Sequence, residues 1–423
     1  MATANTSQVG SNPSLLYRLW QKVVARFRSN RIRQRSRVRF RLTREGVHFI
    51  GILVFIFIGA VIRDINLLIL LAGTMIGLLM LQWRFNTSTL VGINVLRNLP
   101  SYATSHRDTE IEFTVKNPKR WLSAWLVMVE DPIVQTAPKA KRTGEKGIGI
   151  VDAIRPTGAS DSSYRLHFFQ RGKYSIGPST ISTRFPLGLG RGWRTLDNKA
   201  EIVVHPRQGN LTRGVQKLFH LERLGQTKAS NNAGAHEGEF YGLRSWTNGD
   251  SKRWIHWRTT ARLGELSVRQ FEQNQKRQIC LLLDLYSDKK NGASESVEMA
   301  ISFLATLATR TVREQRDKLS VGIAGENALG FGAVQSPVLV QNLLDELAVV
   351  NPSETPDLSG ALKELHGPLL SNPNLIVIST RQDQFGDLQR SSDDPVLDKL
   401  LGRVRARWLN VANNDLEPYF QWT

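Results

Sequence analysis

Cysteine is almost absent from this chain, which contains only Cys280 among its 423 residues. A single thiol excludes an intramolecular disulfide and a zinc site built from cysteine pairs. Because Cys280 lies within an apolar run typical of a strand, we expect a buried, unreactive side chain rather than a nucleophile. The cysteine content therefore gives no reason to expect an oxidising compartment.

The common catalytic motifs are also missing. The sequence has no Gly-x4-Gly-Lys-Ser/Thr loop, so the chain is not expected to hydrolyse ATP by itself. It has neither the Gly-x-Ser-x-Gly elbow of serine hydrolases nor the His-Glu-x-x-His pair of zinc proteases. We therefore expect a protein that is not an enzyme and carries no cofactor.

Acidic residues are missing from the N-terminal region. Between Arg18 and Arg44 the chain has eleven Lys or Arg residues and no Asp or Glu, which is more than half of its net charge of +19. Apolar residues between Leu15 and Phe40 recur at close to helical spacing, which predicts an amphipathic helix on an anionic bilayer surface. A nucleic-acid arm is the alternative, because arginines neutralise phosphates equally well. We interpret residues 1–45 as a basic cytoplasmic tail.

Two long apolar runs follow, Val47–Ile62 and Ile65–Leu81, with Arg63 and Asp64 between them. As a helix, each run spans roughly 25 Å, close to the ~30 Å hydrocarbon core of a bilayer. We predict a two-helix transmembrane hairpin over residues 46–83; the buried hairpin of a soluble protein is the alternative. The basic tail should stay in the cytoplasm and two spans return the chain to that side, so the bulk of the chain should be cytoplasmic. The hairpin favours a membrane over nucleic acid as the tail's partner.

Residues 89–207 are predicted to form an all-β sandwich, because short alternating or apolar runs are separated there by Pro, Gly, Asn and Asp. Residues 208–234 are polar and basic and are interpreted as a linker. The expected strands are Leu90–Leu96, Thr109–Val115, Trp125–Glu130, Tyr164–Phe169, Ile176–Thr183 and Ile202–His205.

Residues 276–423 alternate between strand and helix patterns, which predicts a doubly wound α/β domain. Its first strand, Ile279–Leu285, is a continuous apolar run typical of a strand buried on both faces. The further expected elements are helix Glu295–Arg316, strand Leu319–Ala324, helices Leu339–Val349 and Leu358–Leu365, strand Asn374–Ser379 and a strand near Val404–Val411.

The segment 235–275 is exceptional because three Trp and five Arg or Lys residues lie between Arg244 and Arg262. We predict that Asp250 caps a short helix carrying Trp254 and Trp257 on one face. Gly264 is placed to end this helix, and Ser267–Glu272 alternates like a strand.

Two interpretations of this segment stay open. The indoles form a core on which the arginines stack, or part of the surface receives a partner protein, since Trp and Arg are frequent interface hot spots. A third, catalytic interpretation is a hydrolase acting through Asp250, His256 and Glu272. The candidate interaction residues are Arg244, Trp246, Gly249, Asp250, Arg253, Trp254, His256, Trp257, Arg258, Arg262, Glu265, Arg269 and Glu272.

The run G-L-R-x-W-x-x-G-D-x-x-R-x-I-H-W-R-x-x-A-R-x-G-E-L-x-V-R-Q-F-E resembles the signature of the domain of unknown function 58 (DUF58) family of bacteria. The resemblance extends from about Ala235 to Ser287, and Phe169–Leu189 is similar to the region that precedes this signature in the family. It implies a protein of the inner membrane that works with a MoxR-type AAA+ ATPase. The implied role is assembly or remodelling of envelope protein complexes, with other proteins as clients.

The C-terminal pattern resembles a von Willebrand factor A domain, in which an Asp-x-Ser-x-Ser loop after the first strand holds a metal. Here Asp284 fits, but Tyr286 and Asp288 stand where the two serines are expected. Thr355 lies one residue from the place of the second-loop threonine, and Ser379 and Thr380 stand where a third-loop Asp is usual. Asp284, Asp288 and Thr355 are therefore only weak metal ligands, and metal-dependent ligand binding is a further alternative function.

Overall fold

The computed structural model of the chain describes residues 37–138, 140–215, 218, 240–248, 250–271, 277–287, 295–314, 317–372, 374–382, 399 and 401–422. Along the chain, two apolar helices are followed by a β-rich region and then by a mixed α/β part. The predicted amphipathic helix lies largely in residues 15–36, outside the described residues.

The two predicted apolar helices are confirmed as α1, Arg44–Arg63, and α2, Asn66–Leu90. Between them Asp64 adopts a left-handed backbone conformation, which turns the chain within two residues. Both are long and apolar enough to cross a membrane, and only 11% of the most apolar stretch of α1 and 17% of that of α2 is buried against protein. This exposure argues against a hairpin buried in a soluble core.

The boundary between tail and hairpin differs from the prediction. Arg39–Leu42 forms strand β1, which is antiparallel to a later strand, with Arg39 opposite Trp193 and Leu42 opposite Gly190. The physical reason is the alternation of arginine with valine, phenylalanine and leucine from Arg37 to Leu42, which suits a pleated strand better than a helix.

Helix α2 also continues past the predicted end at residue 83, because its last turns pack on the β-rich region. Gln82 is fully buried; its side-chain nitrogen donates to the carbonyls of Arg184 and Gly190, both at 3.1 Å, and its oxygen accepts from the amide of Leu187 at 2.9 Å. Asn86 donates to the same Gly190 carbonyl at 2.8 Å. A polar turn of α2 is thus locked into the loop 184–190.

Helix α1 contacts the same loop. The hydroxyl of Thr43 accepts from the amide of Gly46 and donates to the carbonyl of Gly188 at 2.7 Å, so one side chain caps the helix and holds the loop. A Cβ on Gly46 would lie 1.9 Å from the carbonyl oxygen of Leu189, so only glycine fits. Both helices of the hairpin are therefore attached to one loop.

The β-rich region consists of two sheets around a common core that includes Phe113, Val127, Tyr164, Ile181 and Val204. One sheet has the strand order β1-β10-β9-β5-β8-β11-β3, with β6 paired to β5, and the other has the order β2-β4-β7. The strands are β2 Asn94–Asn98, β3 Ala103–Thr104, β4 Asp108–Lys116, β5 Ala124–Ala137, β6 Lys141–Ile154, β7 Ala159–His167, β8 Gly172–Ile176, β9 Ser179–Thr183, β10 Gly190–Leu196 and β11 Ala200–His205.

These bounds correct two strand predictions and add a long strand that was not predicted. Leu90 ends helix α2 instead of starting a strand. The expected strand Ile176–Thr183 is divided by Gly177-Pro178, since proline has no amide for a ladder hydrogen bond. Strand β6 was not predicted because its glycines read as a loop; a Cβ on Gly147 would lie 2.2 Å from the ring of Tyr164, so glycine is needed under that ring.

A buried ion pair ties the two sheets together. Arg97 on β2 is 4% exposed and donates to both oxygens of Asp131 on β5, at 2.7 and 2.8 Å. The hydroxyl of Tyr164 donates to Asp131 at 2.7 Å, and burial together with this carboxylate raises the pKa of Tyr164 well above its usual range. Asp131 is thus satisfied by a cation and a hydroxyl that lie on different strands.

The C-terminal part is a five-stranded sheet of order β17-β16-β15-β18-β19, parallel except for β17. Alternate residues of the central strand point to opposite faces: Leu281 and Leu283 join one apolar cluster, while Cys280 and Leu282 join another. Helices cover both faces. The elements are β15 Arg277–Asp284, α4 Glu295–Glu314, β16 Asp317–Ala324, β17 Ala328–Val334, α5 Pro337–Val349, α6 Leu358–Glu364, α7 His366–Ser371, β18 Asn374–Ser379 and β19 Arg405–Asn410.

The predicted linker begins as part of this α/β structure. Gly209–Leu211 forms strand β12, antiparallel to the C-terminal strand β20, Phe420–Trp422. Val215 and Leu218 are buried in the same apolar cluster as Phe420. Short strands and single anchoring residues carry little periodicity, so the polar composition of the segment concealed them.

The β-rich and α/β parts meet through Arg171, which is 4% exposed. Its guanidinium donates to the carbonyls of Leu347 and Val350 at 2.9 Å, at the C-terminal end of α5, and forms an ion pair with Glu298. A cation suits the negative end of a helix dipole. Burial lowers the pKa of Arg171 to about 10.

We expect Asp131→Ala to destabilise the chain by about 3–5 kcal/mol, because it leaves the buried Arg97 without its counter-charge. The measurement is chemical denaturation of the detergent-solubilised full chain. Asp161→Ala is the matched control, since Asp161 is exposed and bonds only to the Thr114 hydroxyl, at 2.6 Å; its effect should stay within about 0.5 kcal/mol. Equal effects of the two substitutions would contradict the structural role given to the buried pair.

Candidate functional site

The segment with three tryptophans folds into a small unit, residues 240–271, that we call the signature lobe. Strands β13, Phe240–Ser245, and β14, Ser267–Phe271, form an antiparallel hairpin, and the short helix α3, Trp257–Leu263, lies between them in the chain. Among the lobe side chains that the structure describes, only Ile255, Ser267 and Val268 are buried. The lobe therefore has almost no core of its own.

A bidentate ion pair fixes the loop after β13. The guanidinium of Arg244 donates to the two carboxylate oxygens of Asp250 at 2.6 and 2.7 Å, and the amide of Thr247 donates to the same carboxylate at 2.9 Å. These bonds, the arginine's first and the Thr247 amide's next, lower the pKa of Asp250 from its ordinary 3.8 to about 2. The carboxylate is charged at neutral pH and its oxygens are occupied by protein donors.

The prediction that Asp250 caps a helix is wrong. A single 3₁₀ turn, Lys252–Trp254, follows it, and the α-helix starts only at Trp257. Trp254 and Trp257 therefore do not share a helical face. The reason is competition for the carboxylate, because an aspartate that closes its own loop and binds an arginine has no oxygen left for a later helix amide. The end at Gly264 is confirmed, with φ of 76°.

Helix α3 is held to strand β14 by its threonine side. The hydroxyl of Thr260 accepts from the amide of Ser267 at 3.1 Å, and Thr259 bonds to Nδ1 of His256 at 2.7 Å. Thr259 and Thr260 are half-buried, whereas the preceding Trp257 and Arg258 are exposed. The outward face therefore presents an indole beside a guanidinium.

This outward face is exposed. Trp257 is 66% exposed, which excludes the interpretation in which its indole forms a core. Ala261 and Arg262, one turn further along, continue the same face. Leu263 is 65% exposed and Leu266 is 43% exposed, so apolar surface extends past the helix end.

The remaining candidate residues divide into three groups. Trp246, Trp254 and His256 are half-buried inside the lobe, whereas Gly249 and Glu272 lie outside the described residues. No hydrogen bond joins Asp250 to His256, because each is engaged with a neighbour in its own turn. The exposed polar members are Arg253, Arg258, Arg262, Glu265 and Arg269.

The three weak candidate metal ligands do not form a site among the described residues. Asp284 is fully buried at the carboxyl end of β15, where it accepts from Ser379 at 2.6 Å and from Arg381 at 2.9 and 3.3 Å. A guanidinium thus neutralises the carboxylate that a cation would need. Thr355 is exposed and Asp288 lies outside the described residues. Among the described side chains, no group of three or more His, Cys, Asp or Glu is placed to hold a metal ion.

Sequence reasoning missed two parts of these sites. Leu263 and Leu266 have the composition of ordinary core residues, and only the folded lobe shows that they are exposed. Arg381 lies 97 residues after Asp284, and its guanidinium is also 5.0 Å from the ring of Tyr286. No local pattern links residues so far apart in the chain.

A comparison with protein families matches residues 242–394 to the family described as "Protein of unknown function DUF58". The match begins in the signature lobe, extends past β18, and supports the DUF58 resemblance seen in the sequence. None of the curated proteins compared matches the chain.

Solved structures give only distant likenesses. The CARDB domain of a Pyrococcus furiosus protein in complex with di-metal ions is 13% identical, with a TM-score of 0.17, over 26% of this chain and 86% of that one. A Listeria innocua β-glucosidase in complex with gluconolactone is 12% identical, with a TM-score of 0.19, over 26% and 16%. The PilB minor pilin of Streptococcus sanguinis is 8% identical, with a TM-score of 0.18, over 59% and 55%. Scores this low carry no inference about fold or function.

We expect the Asp250 carboxylate to titrate near pH 2 in carbon-13 NMR of the full chain, with Asp250→Asn identifying its resonance. The folded-state pKa is depressed, so the stabilisation of the lobe is complete above 3.8 and is lost as the pH falls towards 2. Arg244→Ala should raise this pKa towards 3.8. Arg258→Ala, which removes an exposed arginine that does not contact Asp250, should leave it unchanged; a rise with both variants would refute the specific pairing.

We expect magnesium or manganese to give no calorimetric heat that depends on Asp284, because Arg381 occupies the carboxylate. Asp284→Ala should instead destabilise the chain by about 3 kcal/mol, the low end for breaking a buried pair, since Arg381 is 21% exposed and can reach water. Saturable metal binding that is abolished by Asp284→Ala would contradict this assignment.

Proposed function

We propose that the chain is a membrane-anchored, non-catalytic adaptor of the DUF58 type that presents its signature lobe to a partner protein. The observation that carries the proposal is the combination of exposed apolar side chains with a strong excess of positive charge on a lobe in which few described side chains are buried. Trp and Arg are the residue types that contribute most at protein interfaces.

The charge of the lobe indicates the chemistry of the partner. Arg244 is neutralised by Asp250, which leaves five exposed cations and, among the described lobe residues, Glu265 as the one other carboxylate. None of the five has an ion pair within the described part of the chain. The five cations are Lys252, Arg253, Arg258, Arg262 and Arg269. A complementary surface is therefore acidic, with an apolar recess for the indole.

The resemblance to DUF58 proteins implies that this partner is a MoxR-type AAA+ ATPase. Because the chain has no ATP-binding loop of its own, an ATPase would supply the energy, and the adaptor would connect it to client proteins during assembly or remodelling of envelope complexes. The α/β part supports a von Willebrand A-like interpretation, since it is a mainly parallel sheet covered by helices on both faces.

Helices α1 and α2 would anchor this body as a two-span hairpin in the bacterial inner membrane, with the bulk of the chain in the cytoplasm. Their length and exposed apolar surface support the proposal. The basic tail supports the orientation, because positive residues remain on the cytoplasmic side. No nucleic acid partner is proposed.

The test is the dissociation constant between the detergent-solubilised full chain and the purified MoxR-type ATPase of the same organism. Trp257→Ala should weaken binding about 30-fold, equivalent to the ~2 kcal/mol of an interface hot spot. Arg258→Glu with Arg262→Glu should weaken it further and more strongly at low salt, because the charge of the outward face is reversed.

Trp121→Ala is the control, because Trp121 lies in the β-rich region and is 94% exposed, more than Trp257. It should leave the dissociation constant unchanged. If the parent binds the ATPase and the lobe variants bind equally well, the lobe is not the docking surface. If the parent does not bind the ATPase, the partner assignment is wrong.

A further inference from the structure

A cavity of about 550 Å³ lies where the hairpin meets the β-rich region. Strands β1, β10, β9 and β5, which lie side by side in one sheet, form its floor, and the first turn of α1 and Arg184 border it. Its charged lining consists of Arg41, Arg44, Arg184 and Arg191 with Glu45 and Glu130, and the indole of Trp193 lies at its edge. The volume is that of a pocket for a small ligand.

The cavity keeps an excess of positive charge. Arg191 forms an ion pair with Glu130 and donates to the Ser182 hydroxyl at 3.0 Å, so that pair is internally neutral. Arg41, Arg44 and Arg184 are exposed, and in the described part of the chain no ion pair engages them. Glu45, which lies near Arg184, is the remaining carboxylate. Three guanidinium groups thus face one carboxylate, which suits an anionic ligand.

The ligand would also be next to apolar surface. Arg44 is the first residue of α1, and the exposed apolar face begins with Val47, which is 58% exposed. Helix α1 has twenty residues, so its positive dipole end adds to the field of the arginines. Trp193 offers the kind of side chain that prefers a membrane–water boundary. A ligand whose charged group binds here would have its apolar part directed along α1.

We propose that this cavity binds the phosphate headgroup of an anionic phospholipid whose acyl chains follow α1. The inference rests on the proposed membrane anchoring. The arginines are held in place by folded strands and by the loop 184–190. Binding in this recess is therefore distinct from a general electrostatic attraction between the basic tail and the membrane. A free phosphate shares the chemistry of the headgroup but has no apolar part that could contact the adjacent helix.

The test is native mass spectrometry of the full chain, extracted in mild detergent from phosphatidylcholine vesicles that contain phosphatidylglycerol. The parent should retain phosphatidylglycerol over phosphatidylcholine. Arg41→Gln with Arg184→Gln should weaken retention about 30-fold, since each cation near a membrane surface contributes roughly a fivefold factor. Arg41→Lys with Arg184→Lys should keep most of it, and an unchanged thermal midpoint shows that each variant is folded.

Arg37→Gln with Arg39→Gln is the charge-matched control, because both are exposed cations of the basic tail and neither lines the cavity. If the tail and cavity variants lose phosphatidylglycerol retention equally, the proposal is overturned, and the lipid is held by the overall positive charge instead. Displacement by inorganic phosphate at the same concentration would overturn the lipid as the ligand.

Flotation with neutral phosphatidylcholine vesicles separates this inference from the anchoring on which it rests. A chain that does not float refutes both. A chain that floats but retains the two lipids equally refutes the headgroup site alone.

Discussion

The amide side chains of Gln82 and Asn86 determine how the helical hairpin is joined to the β-rich region. They are fully buried near the end of an otherwise apolar helix and bond to the backbone of the loop 184–190. A buried amide without partners would destabilise the fold, so this helix turn and this loop require each other. Thr43 and Gly46 attach the other helix to the same loop, which leaves the hairpin without a free hinge at its base.

The remaining architecture follows from that junction. Because β1 extends directly into α1 and pairs with β10, the hairpin continues the eight-stranded sheet, and the basic cavity is the space left between them. At the other end, Arg171 joins the β-rich region to α5 through helix-end carbonyls. The signature lobe is the exception, because its exposed indole and arginines are not covered by any described element.

Composition and periodicity predicted the elements that bury or expose long apolar surfaces. The two apolar helices and the continuous run of β15 were predictable because their signals extend over many residues. The strand that starts at Arg39 is not predicted, because the dense arginines of this region indicate a basic helical tail. Every second residue there is nevertheless apolar, as a strand requires. No strand is predicted over β6, because its glycines are atypical of strands, although Gly147 and Gly149 make room for the rings of Tyr164 and Phe113.

The candidate site was located by composition but not by its geometry. Asp250 could cap a helix or bind an arginine, and the choice depends on Arg244 lying across the loop, which spacing alone does not show. The partners of Asp284 lie 95 and 97 residues away in the chain, beyond the range of any local pattern. Contacts of that kind are set by the folded sheet, so they were outside the reach of sequence reasoning.

The pairing of β12 with the C-terminal strand β20 determines how mechanical force would pass through the protein. Because Gly209–Leu211 and Val215 belong to the α/β part, the lobe leaves that part and returns to it at β15, the central strand of its sheet. Traction applied to the lobe would therefore load the central strand of the sheet at its amino end. Within the described residues, that traction would reach helices α1 and α2 through the β-rich region.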